Sequence, residues 1–253
     1  MQSIPCLPEE KEIEAIDPPR IDRDKCTRCM KCVEACAFDA LKLVSTMKTV
    51  DDIFDEVMKD DLFYKSSGGG FTVSGGEPLM HPDMTLALLK RAKQEGLHTV
   101  LDTCGQANWR TTKPILEYVD LVMLDIKCLD KVKHKKWVGV SNTLILENAV
   151  KFSQSNVRIR LRLPIIHSVN FWDLQYPKDI VKFARSLGKN IVGIDLLPFH
   201  SFAAKKYGNI GRKGYFDNFP NIFKEELEDY KNIISRGGPW QTTIGGLIGV
   251  EQQ

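Results

Sequence analysis

The chain has 253 residues, of which 43% are hydrophobic and 27% are charged, as expected of an ordinary globular protein. A formal net charge of +2 gives no electrostatic reason to expect binding to nucleic acid or to a membrane surface. No apolar stretch approaches the roughly 18 residues that a transmembrane helix requires, and no signal peptide opens the sequence. A chain of this length can form one α/β domain, and its seven cysteines in reduced form would fit the cytoplasm.

The first feature along the chain is a run of four cysteines. Residues 1–25 are polar and rich in proline, so they predict an irregular lead-in. The run then has the spacing Cys-x2-Cys-x2-Cys-x3-Cys, with thiols at Cys26, Cys29, Cys32 and Cys36. Two-residue gaps let a tight loop turn successive thiolates toward one centre, and this spacing is typical of a [4Fe–4S] cluster. Zinc sites more often use two Cys-x2-Cys pairs and a longer spacer, and a disulfide framework would be too crowded here.

The fourth cysteine of the run leaves two alternatives open. In ferredoxins that hold two clusters, the fourth cysteine of each run binds the other cluster. Cys36 therefore either completes the cluster of its own run or serves a different one. Cys6 is a distant candidate ligand, although a single N-terminal cysteine usually has no such role.

The rest of the chain alternates between predicted strands and helices. A short extended piece at residues 40–44 precedes a helix at residues 49–60, which Thr49 can cap. The predicted strands are residues 71–74, 98–102, 121–126, 157–163 and 191–197. The predicted helices that follow them are residues 82–94, 111–118, 142–153, 177–187 and 221–235. Near-continuous apolar strands separated by helices predict a parallel sheet covered by helices, and periodicity alone allows an open doubly wound sheet or a partial barrel.

Polar residues stand at the carboxyl end of each predicted strand. They are Ser74 to Glu77, Asp102 with Thr103, Asp125 with Lys127, Arg162, and His200. Taken singly, each has an ordinary explanation as a loop cap, a surface residue or a hydrogen-bonded loop histidine. Five groups at five equivalent positions instead favour a binding site, because barrel enzymes build their active sites from these strand ends.

These residues belong to segments that resemble a known family. The segments are FTVSGGEP at residues 71–78, DTCG at 102–105, LDIK at 124–127, IRLRLPII at 159–166 and LLPFH at 196–200. In combination they resemble the glycyl-radical-enzyme activating enzymes, which are radical S-adenosyl-L-methionine (SAM) proteins of the pyruvate formate-lyase activase type. The resemblance extends over roughly residues 22–215, and the cysteine run resembles the ferredoxin-like insert of many members.

The resemblance implies a fold and a division of the chain. The fold is α/β, a partial (β/α) TIM-like barrel of the radical SAM type, preceded by a small ferredoxin-like [4Fe–4S] insert. Residues 1–47 would form the ferredoxin-like iron–sulfur segment, and residues 48–253 would form the partial barrel.

The resemblance also implies roles for the strand-end residues in binding SAM. Ser74, Gly75, Gly76 and Glu77 would contact the SAM amino group. Asp102 and Asp125 would hold a monovalent cation or orient the methionine end. Lys127 and Arg162 would lie at the ribose or the carboxylate, and His200 at the adenosyl end. SAM carries a carboxylate that needs cationic or N–H donors and an ammonium that needs acceptors, so these residue types suit it.

One motif of radical SAM chemistry is absent from the printed sequence. The resemblance calls for a Cys-x3-Cys-x2-Cys loop whose three thiolates leave one iron open to SAM. Cys32 and Cys36 have the first spacing, but the next required position is Asp39, and carboxylate is a poor substitute for thiolate at such a cluster. We therefore assign no catalytic residue, and we expect a chain that lacks an N-terminal portion with that loop and the first barrel strand.

The resemblance implies an activity that this chain alone would not complete. Family members cleave SAM reductively to a 5′-deoxyadenosyl radical, which abstracts hydrogen from a glycine of a partner, a glycyl radical enzyme. An electron donor such as flavodoxin or ferredoxin would supply the electron. The alternative is a non-catalytic, ferredoxin-like iron–sulfur electron-transfer protein, but such a carrier has no need of the strand-end residues.

Overall fold

A computed structural model describes residues 21–246 of the chain, except residues 23, 44, 204–215 and 217. The chain divides into two compact units. The smaller unit extends to Thr46 and includes Phe202–Asp217, and the larger unit comprises Met47–Ser201 and Asn218–Gln253. In the described part of the chain, no helix is long and apolar enough to cross a membrane.

The smaller unit contains the cysteine run. A short helix, α1 (Lys31–Glu34), lies within that run, so the chain turns between Cys32 and Cys36. Residues 40 and 41 lie in a bend and residues 42–43 in no regular element, so the extended piece expected at residues 40–44 forms no strand over its described part; residue 44 lies outside the described residues.

The larger unit is built on six strands and eight α-helices among its described residues. The strands are β1 (Gly70–Val73), β2 (His98–Thr103), β3 (Leu121–Asp125), β4 (Arg158–Ile165), β5 (Ile191–Pro198) and β6 (Gln241–Ile244). The helices are α2 (Val50–Val57), α3 (Asp61–Ser67), α4 (Pro82–Gln94), α5 (Trp109–Thr112), α6 (Lys131–Val138), α7 (Thr143–Ser153), α8 (Gln175–Leu187) and α9 (Glu228–Ser235).

Each strand pairs in parallel with its sequence neighbour, in the order β1-β2-β3-β4-β5-β6. The predicted parallel α/β sheet is therefore confirmed. Helices pack against it: α4 contacts β1 and β2, α7 contacts β4, and α9 contacts β6 and α8. Because the strands are parallel and in consecutive order, all their carboxyl ends lie along the same edge of the sheet.

The two faces of the sheet differ in chemistry because side chains alternate along each strand. One face holds the apolar core, in which Leu101, Leu124, Leu161 and Ile194 have no exposed surface. The opposite face carries Asp102, Asp125, Arg160, Arg162 and Asp195, which we call the charged face. Strand register places Asp125 beside Arg162, Arg162 beside Asp195, and Asp195 beside Thr243.

A buried ion pair joins β4 to β5 on the charged face. Arg160 is 4% exposed and Asp195 is 2% exposed. The Arg160 guanidinium donates two hydrogen bonds to the Asp195 carboxylate, at 2.6 Å from Nε and 2.7 Å from Nη2. The Thr243 hydroxyl of β6 donates to the same carboxylate at 2.5 Å. A Cβ at Gly193 would lie 2.3 Å from Arg160 Nη1, so only glycine leaves room for this guanidinium.

Several element boundaries differ from the sequence-based expectation. Helix α4 matches residues 82–94 fully, with Pro82 in its first turn, where the missing N–H costs nothing. The helix expected at residues 111–118 is instead α5 followed by a 3-10 helix (Lys113–Tyr118), since Pro114 removes a donor within it. The helix expected at residues 221–235 begins as a 3-10 helix (Lys224–Leu227), and α9 follows. Helices α3 and α6 and strand β6 were not expected.

Candidate functional site

Asp102 and Arg162 form the centre of the strand-end cluster. Arg162 Nη1 donates to Asp102 Oδ1 at 2.6 Å, across two strand intervals from β4 to β2. Ser74, directly after β1, donates its hydroxyl to Asp102 Oδ2 at 2.9 Å. Both side chains of the ion pair are mostly buried, with 26% of Arg162 and 18% of Asp102 exposed. The ends of β1, β2 and β4 are thereby linked through one carboxylate.

Asp125 completes this cluster from the end of β3. Its Oδ1 lies 3.8 Å from Arg162 Nη1, which is an ion pair but is too long for a hydrogen bond. The same buried oxygen has no hydrogen-bond partner among the residues that the structure describes. Burial raises the pKa of Asp125, against the opposing effect of the positive charges on Arg162 and Lys127. A buried acceptor without a donor is costly, so this oxygen favours a cationic ligand group or a cation.

The loop after β1 is anchored by Glu77. Its carboxylate accepts hydrogen bonds from the Thr103 hydroxyl at 2.5 Å, Cys104 N at 2.8 Å and Leu79 N at 3.1 Å. The side chain of Glu77 thus fastens the loop to the end of β2, which the sequence did not reveal.

The two glycines of that loop border open space. Gly75 has φ +132°, which disfavours any residue with a side chain, and a Cβ at Gly75 or Gly76 would meet no atom within 4 Å. Their backbone is exposed beside the cluster strands. A ligand can therefore approach the main chain closely at this point.

Lys127 and His200 lie just beyond β3 and β5. Lys127 is half-buried, and its charge acts on both Asp125 and Cys104. His200 is exposed two residues after the end of β5. The structure thus joins Ser74, Asp102, Asp125 and Arg162 by direct contacts, brings the charge of Lys127 near them, and places His200 at the same edge of the sheet.

This arrangement is suited to a ligand that carries both charges. Asp102 and Asp125 supply acceptors, and Arg162 and Lys127 supply cationic donors. Such a set can bind an amino acid group through its ammonium and its carboxylate together.

Three cysteines of the run line a cavity in the smaller unit. The cavity has a volume of about 590 Å³, and Cys26, Cys29 and Cys32 line it. Arg28, Met30 and Asp39 have φ between 53° and 63°, so the loop takes left-handed turns between and after its cysteines. The backbone N–H of Arg28 donates to Cys26 Sγ at 3.4 Å, as iron–sulfur ligand loops commonly do.

The individual thiols of the run differ in position. Cys36 is not part of the cavity lining, and its Sγ accepts from Leu41 N at 3.3 Å. The backbone N–H of Lys31 lowers the pKa of Cys29, and that of Leu41 lowers the pKa of Cys36, which favours the thiolate that binds metal. Within the described residues, no three His, Cys, Asp or Glu side chains converge on a single metal ion. Cys26, Cys29 and Cys32 border one cavity, and cysteine thiolates are the ligands that a [4Fe–4S] cluster takes.

The two cysteines of the larger unit have a different environment. Burial raises the pKa of Cys104 to about 11, and the neighbouring Glu77 adds to the increase. Cys128 is 4% exposed, and burial likewise raises its pKa. Both thiols therefore stay protonated near neutral pH, which makes them poor metal ligands.

Sequence reasoning missed a set of buried asparagines near the strand ends. Asn142, Asn148 and Asn170 are each at most 3% exposed, and each donates its side-chain amide to two backbone carbonyls. Asn148, for example, holds Gly105 O and Ala107 O in the loop after β2. The available signal was an asparagine on the apolar face of α7, where its helix propensity is poor.

Comparison with protein families gives two matches. The Radical SAM superfamily matches residues 34–200, and the 4Fe-4S binding domain family matches residues 18–41. The first match covers most of the six-stranded unit, and the second contains the whole cysteine run.

Individual relatives agree with these matches. The isethionate sulfite-lyase activating enzyme of Oleidesulfovibrio alaskensis is 40% identical over 78% of this chain, and the chain spans 63% of the length of that relative. The trans-4-hydroxy-L-proline dehydratase activating enzyme of Clostridioides difficile is 35% identical over 89% of this chain and 84% of the relative.

A solved structure supports the fold. A domain of the pyruvate-formate lyase-activating enzyme from Bacteroides vulgatus superposes with a TM-score of 0.59 at 30% identity. The match covers 70% of this chain and 99% of that domain. The expected fold class, an α/β partial barrel, is thus confirmed.

Proposed function

The chain belongs to the radical SAM superfamily and to its glycyl-radical-enzyme activating enzymes, and on that premise we propose that it serves the activation of a glycyl radical enzyme. The matched families imply SAM and a [4Fe–4S] cluster as cofactors. A second cluster, held by a Cys-x3-Cys-x2-Cys loop that this sequence does not contain, would supply the electron that splits SAM into methionine and a 5′-deoxyadenosyl radical able to take hydrogen from a glycine. The chain's own residues would bind SAM, orient it and hold the auxiliary cluster.

The observation that carries this proposal is the strand-end cluster. Each oxygen of the Asp102 carboxylate accepts a hydrogen bond, one from Ser74 and one from Arg162, whereas the buried Oδ1 of Asp125 has no donor among the described residues. That oxygen suits the SAM ammonium or a monovalent cation beside the methionine end. Arg162 and Lys127 suit the SAM carboxylate or ribose, and His200 the adenosyl end.

The glycine loop would complete the SAM site. Gly75 and Gly76 leave open space beside their main chain, so the backbone of residues 74–77 can reach the SAM amino group. The Glu77 side chain would act by fastening this loop, since its carboxylate already accepts three hydrogen bonds.

The cysteine run would hold the [4Fe–4S] cluster. We propose Cys26, Cys29 and Cys32 as ligands from the cavity wall and Cys36 as the fourth ligand of this cluster or of another. Residues 1–47 would form this ferredoxin-like segment, and residues 48–253 the barrel. Cys29 and Cys32 are exposed, so an electron donor such as flavodoxin or ferredoxin could approach closely. The free thiols fit the reducing cytoplasm.

SAM binding by the anaerobically reconstituted chain tests the proposal. Calorimetry of the wild type should give measurable heat, and Arg162→Ala should weaken the affinity about 10- to 150-fold, as expected for losing a hydrogen bond to a charged group. Arg158→Ala is the matched control, since Arg158 lies on the same face at the opposite end of β4, where it contacts His98 at 3.0 Å. A wild type without SAM binding, or equal losses in both variants, would contradict the proposal.

A further inference from the structure

The loop after β3 is held by its backbone carbonyls. Three consecutive carbonyls, from Lys127 to Leu129, accept hydrogen bonds from buried asparagine side chains. Asn170 Nδ2 donates to Lys127 O at 3.0 Å. Asn142 Nδ2 donates to Cys128 O at 3.0 Å and to Leu129 O at 2.8 Å. The segment that carries Lys127 is therefore fixed from two sides.

Asn170 also ties this segment to the neighbouring strand. Its Nδ2 donates to Pro164 O at 2.8 Å, and Pro164 lies two residues beyond Arg162 on β4. Its Oδ1 accepts from Ile166 N at 2.9 Å, so every polar atom of the side chain is used. One asparagine thus fixes the ends of β3 and β4 relative to each other, and these ends carry Lys127 and Arg162.

Asn142 anchors the same loop to a helix. It is the residue before α7, and its carbonyl accepts from Leu146 N at 2.9 Å. Asn142 is 2% exposed and Asn170 is 3% exposed, so solvent cannot replace the lost donors if either is removed. The loop that carries Lys127 is therefore held to α7 through Asn142 and to β4 through Asn170, and these contacts fix the position of its backbone.

We propose that Asn142 and Asn170 are positioning residues, which hold the Lys127–Leu129 backbone so that the Lys127 ammonium stays at the SAM-binding cluster. The inference rests on the proposed function, because it assigns Lys127 to SAM. A flexible lysine loses rotamer and backbone freedom when it binds a ligand, and fixing its backbone beforehand lowers that cost. Loops that carry binding groups need such support to keep their geometry.

The chain offers a matched control for this device. Asn190 donates its side-chain amide to Ser153 O and Ser155 O, both at 2.8 Å. It forms the same pair of bonds but is only half-buried, and it lies directly before β5, at the amino ends of the strands and away from the strand-end cluster. Asn190→Asp therefore introduces the same chemical change away from Lys127.

A double-mutant cycle with Lys127 tests the proposal. Asn170→Asp keeps the side-chain shape but replaces the donating Nδ2 with an oxygen, which faces the carbonyls of Lys127 and Pro164 without a hydrogen bond to them. It should raise the Kd for SAM about tenfold, measured by calorimetry on the reconstituted chain. If Asn170 acts through Lys127, adding Asn170→Asp to Lys127→Ala should change the Kd by less than about twofold. Independent effects that multiply would overturn the proposal.

Further measurements distinguish the positioning of Lys127 from a general loss of protein stability. Asn190→Asp should leave the Kd for SAM unchanged, and an equal rise there would overturn the proposal. Hydrogen exchange at residues 127–129 should accelerate in Asn142→Asp and Asn170→Asp but not in Asn190→Asp. If an aspartate variant does not fold, the alanine variant carries the same cycle. A wild type that binds no SAM refutes the proposed function itself, whereas SAM binding with multiplicative effects refutes only this inference.

Discussion

Replacing Asp195 with alanine should destabilise the fold far more than replacing an exposed carboxylate. The change leaves the Arg160 guanidinium charged, 4% exposed and without its two short hydrogen bonds. It also removes the acceptor of the Thr243 hydroxyl, which connects β6 to β5. Removing one partner of such a buried pair typically costs about 3–5 kcal/mol, because an unpaired charge stays in the interior.

Unfolding followed by circular dichroism measures this effect. For a chain of this size the expected loss corresponds to a fall in Tm of about 6–20 °C. Glu56→Ala is the control: Glu56 is paired with Lys59 at 2.5 Å, but both side chains are about two-thirds exposed, and we expect no measurable change.

A double replacement separates pairing from packing. Arg160→Met with Asp195→Leu removes both charges together, so most of the lost stability should return. An Asp195→Ala protein that unfolds like the wild type, or a double variant as unstable as the single one, would contradict this prediction.

The remaining predictions concern the cysteines and turnover. Anaerobically reconstituted protein should bind about four iron atoms per chain, and Cys29→Ser should lose most of them while Cys104→Ser keeps them; equal iron in the wild type and Cys29→Ser would contradict the ligand assignment. Because burial raises the pKa of Cys104 to about 11, its alkylation by iodoacetamide should keep accelerating with pH up to that value, and a plateau below pH 9 by mass spectrometry would contradict this. Since the printed chain has no Cys-x3-Cys-x2-Cys loop, dithionite-reduced protein should yield no 5′-deoxyadenosine by chromatography, whereas a polypeptide extended with that loop should; product above a protein-free control would refute the argument.

The parallel sheet could be predicted because five of its strands alternate with helices and place β-branched residues or leucine on the core face, among them Val73, Leu101, Leu124, Leu161 and Ile194. Strand β6 could not, since its sequence Gln-Thr-Thr-Ile is mostly polar. It is held as the outermost strand of the sheet by its pairing with β5 and by the hydrogen bond from Thr243 to Asp195. Those contacts are distant in sequence and leave no local pattern.

Helix α6 could not be predicted either, because its sequence also lacks an apolar pattern. Four of its eight residues are lysines, and only His134 is buried. It has no apolar face to give a helical period, and its limits come from the Asp130 cap and from Gly139 in a left-handed conformation.

At the site, the sequence predicted which residues would lie together but not which hydrogen bonds they would form. The common carboxyl edge of a parallel sheet was enough to expect Asp102, Asp125 and Arg162 together. The sequence did not predict that the Glu77 carboxylate would accept hydrogen bonds from Thr103 and Cys104, because those bonds depend on the path of the loop after β1. The role of the buried asparagines could not be predicted either, since their acceptors are backbone carbonyls, which have no sequence signature.

The strand-end cluster itself distinguishes the proposed function from an electron carrier. Asp102 and Asp125 balance Arg162 and Lys127, yet the hydrogen bonds are shared unequally, and Asp125 keeps a buried oxygen with no donor in the described part of the chain. Burial without a partner costs stability, and a protein that only carried electrons through the cysteine run would gain nothing from it. A site for a zwitterionic ligand would gain, because the ligand's ammonium would donate to this oxygen or an accompanying cation would bind it. Ser74 and Arg162 hold the Asp102 carboxylate, and Asn170 holds the Lys127 carbonyl, so contacts within the protein fix both residues and lower the cost of ordering them on binding.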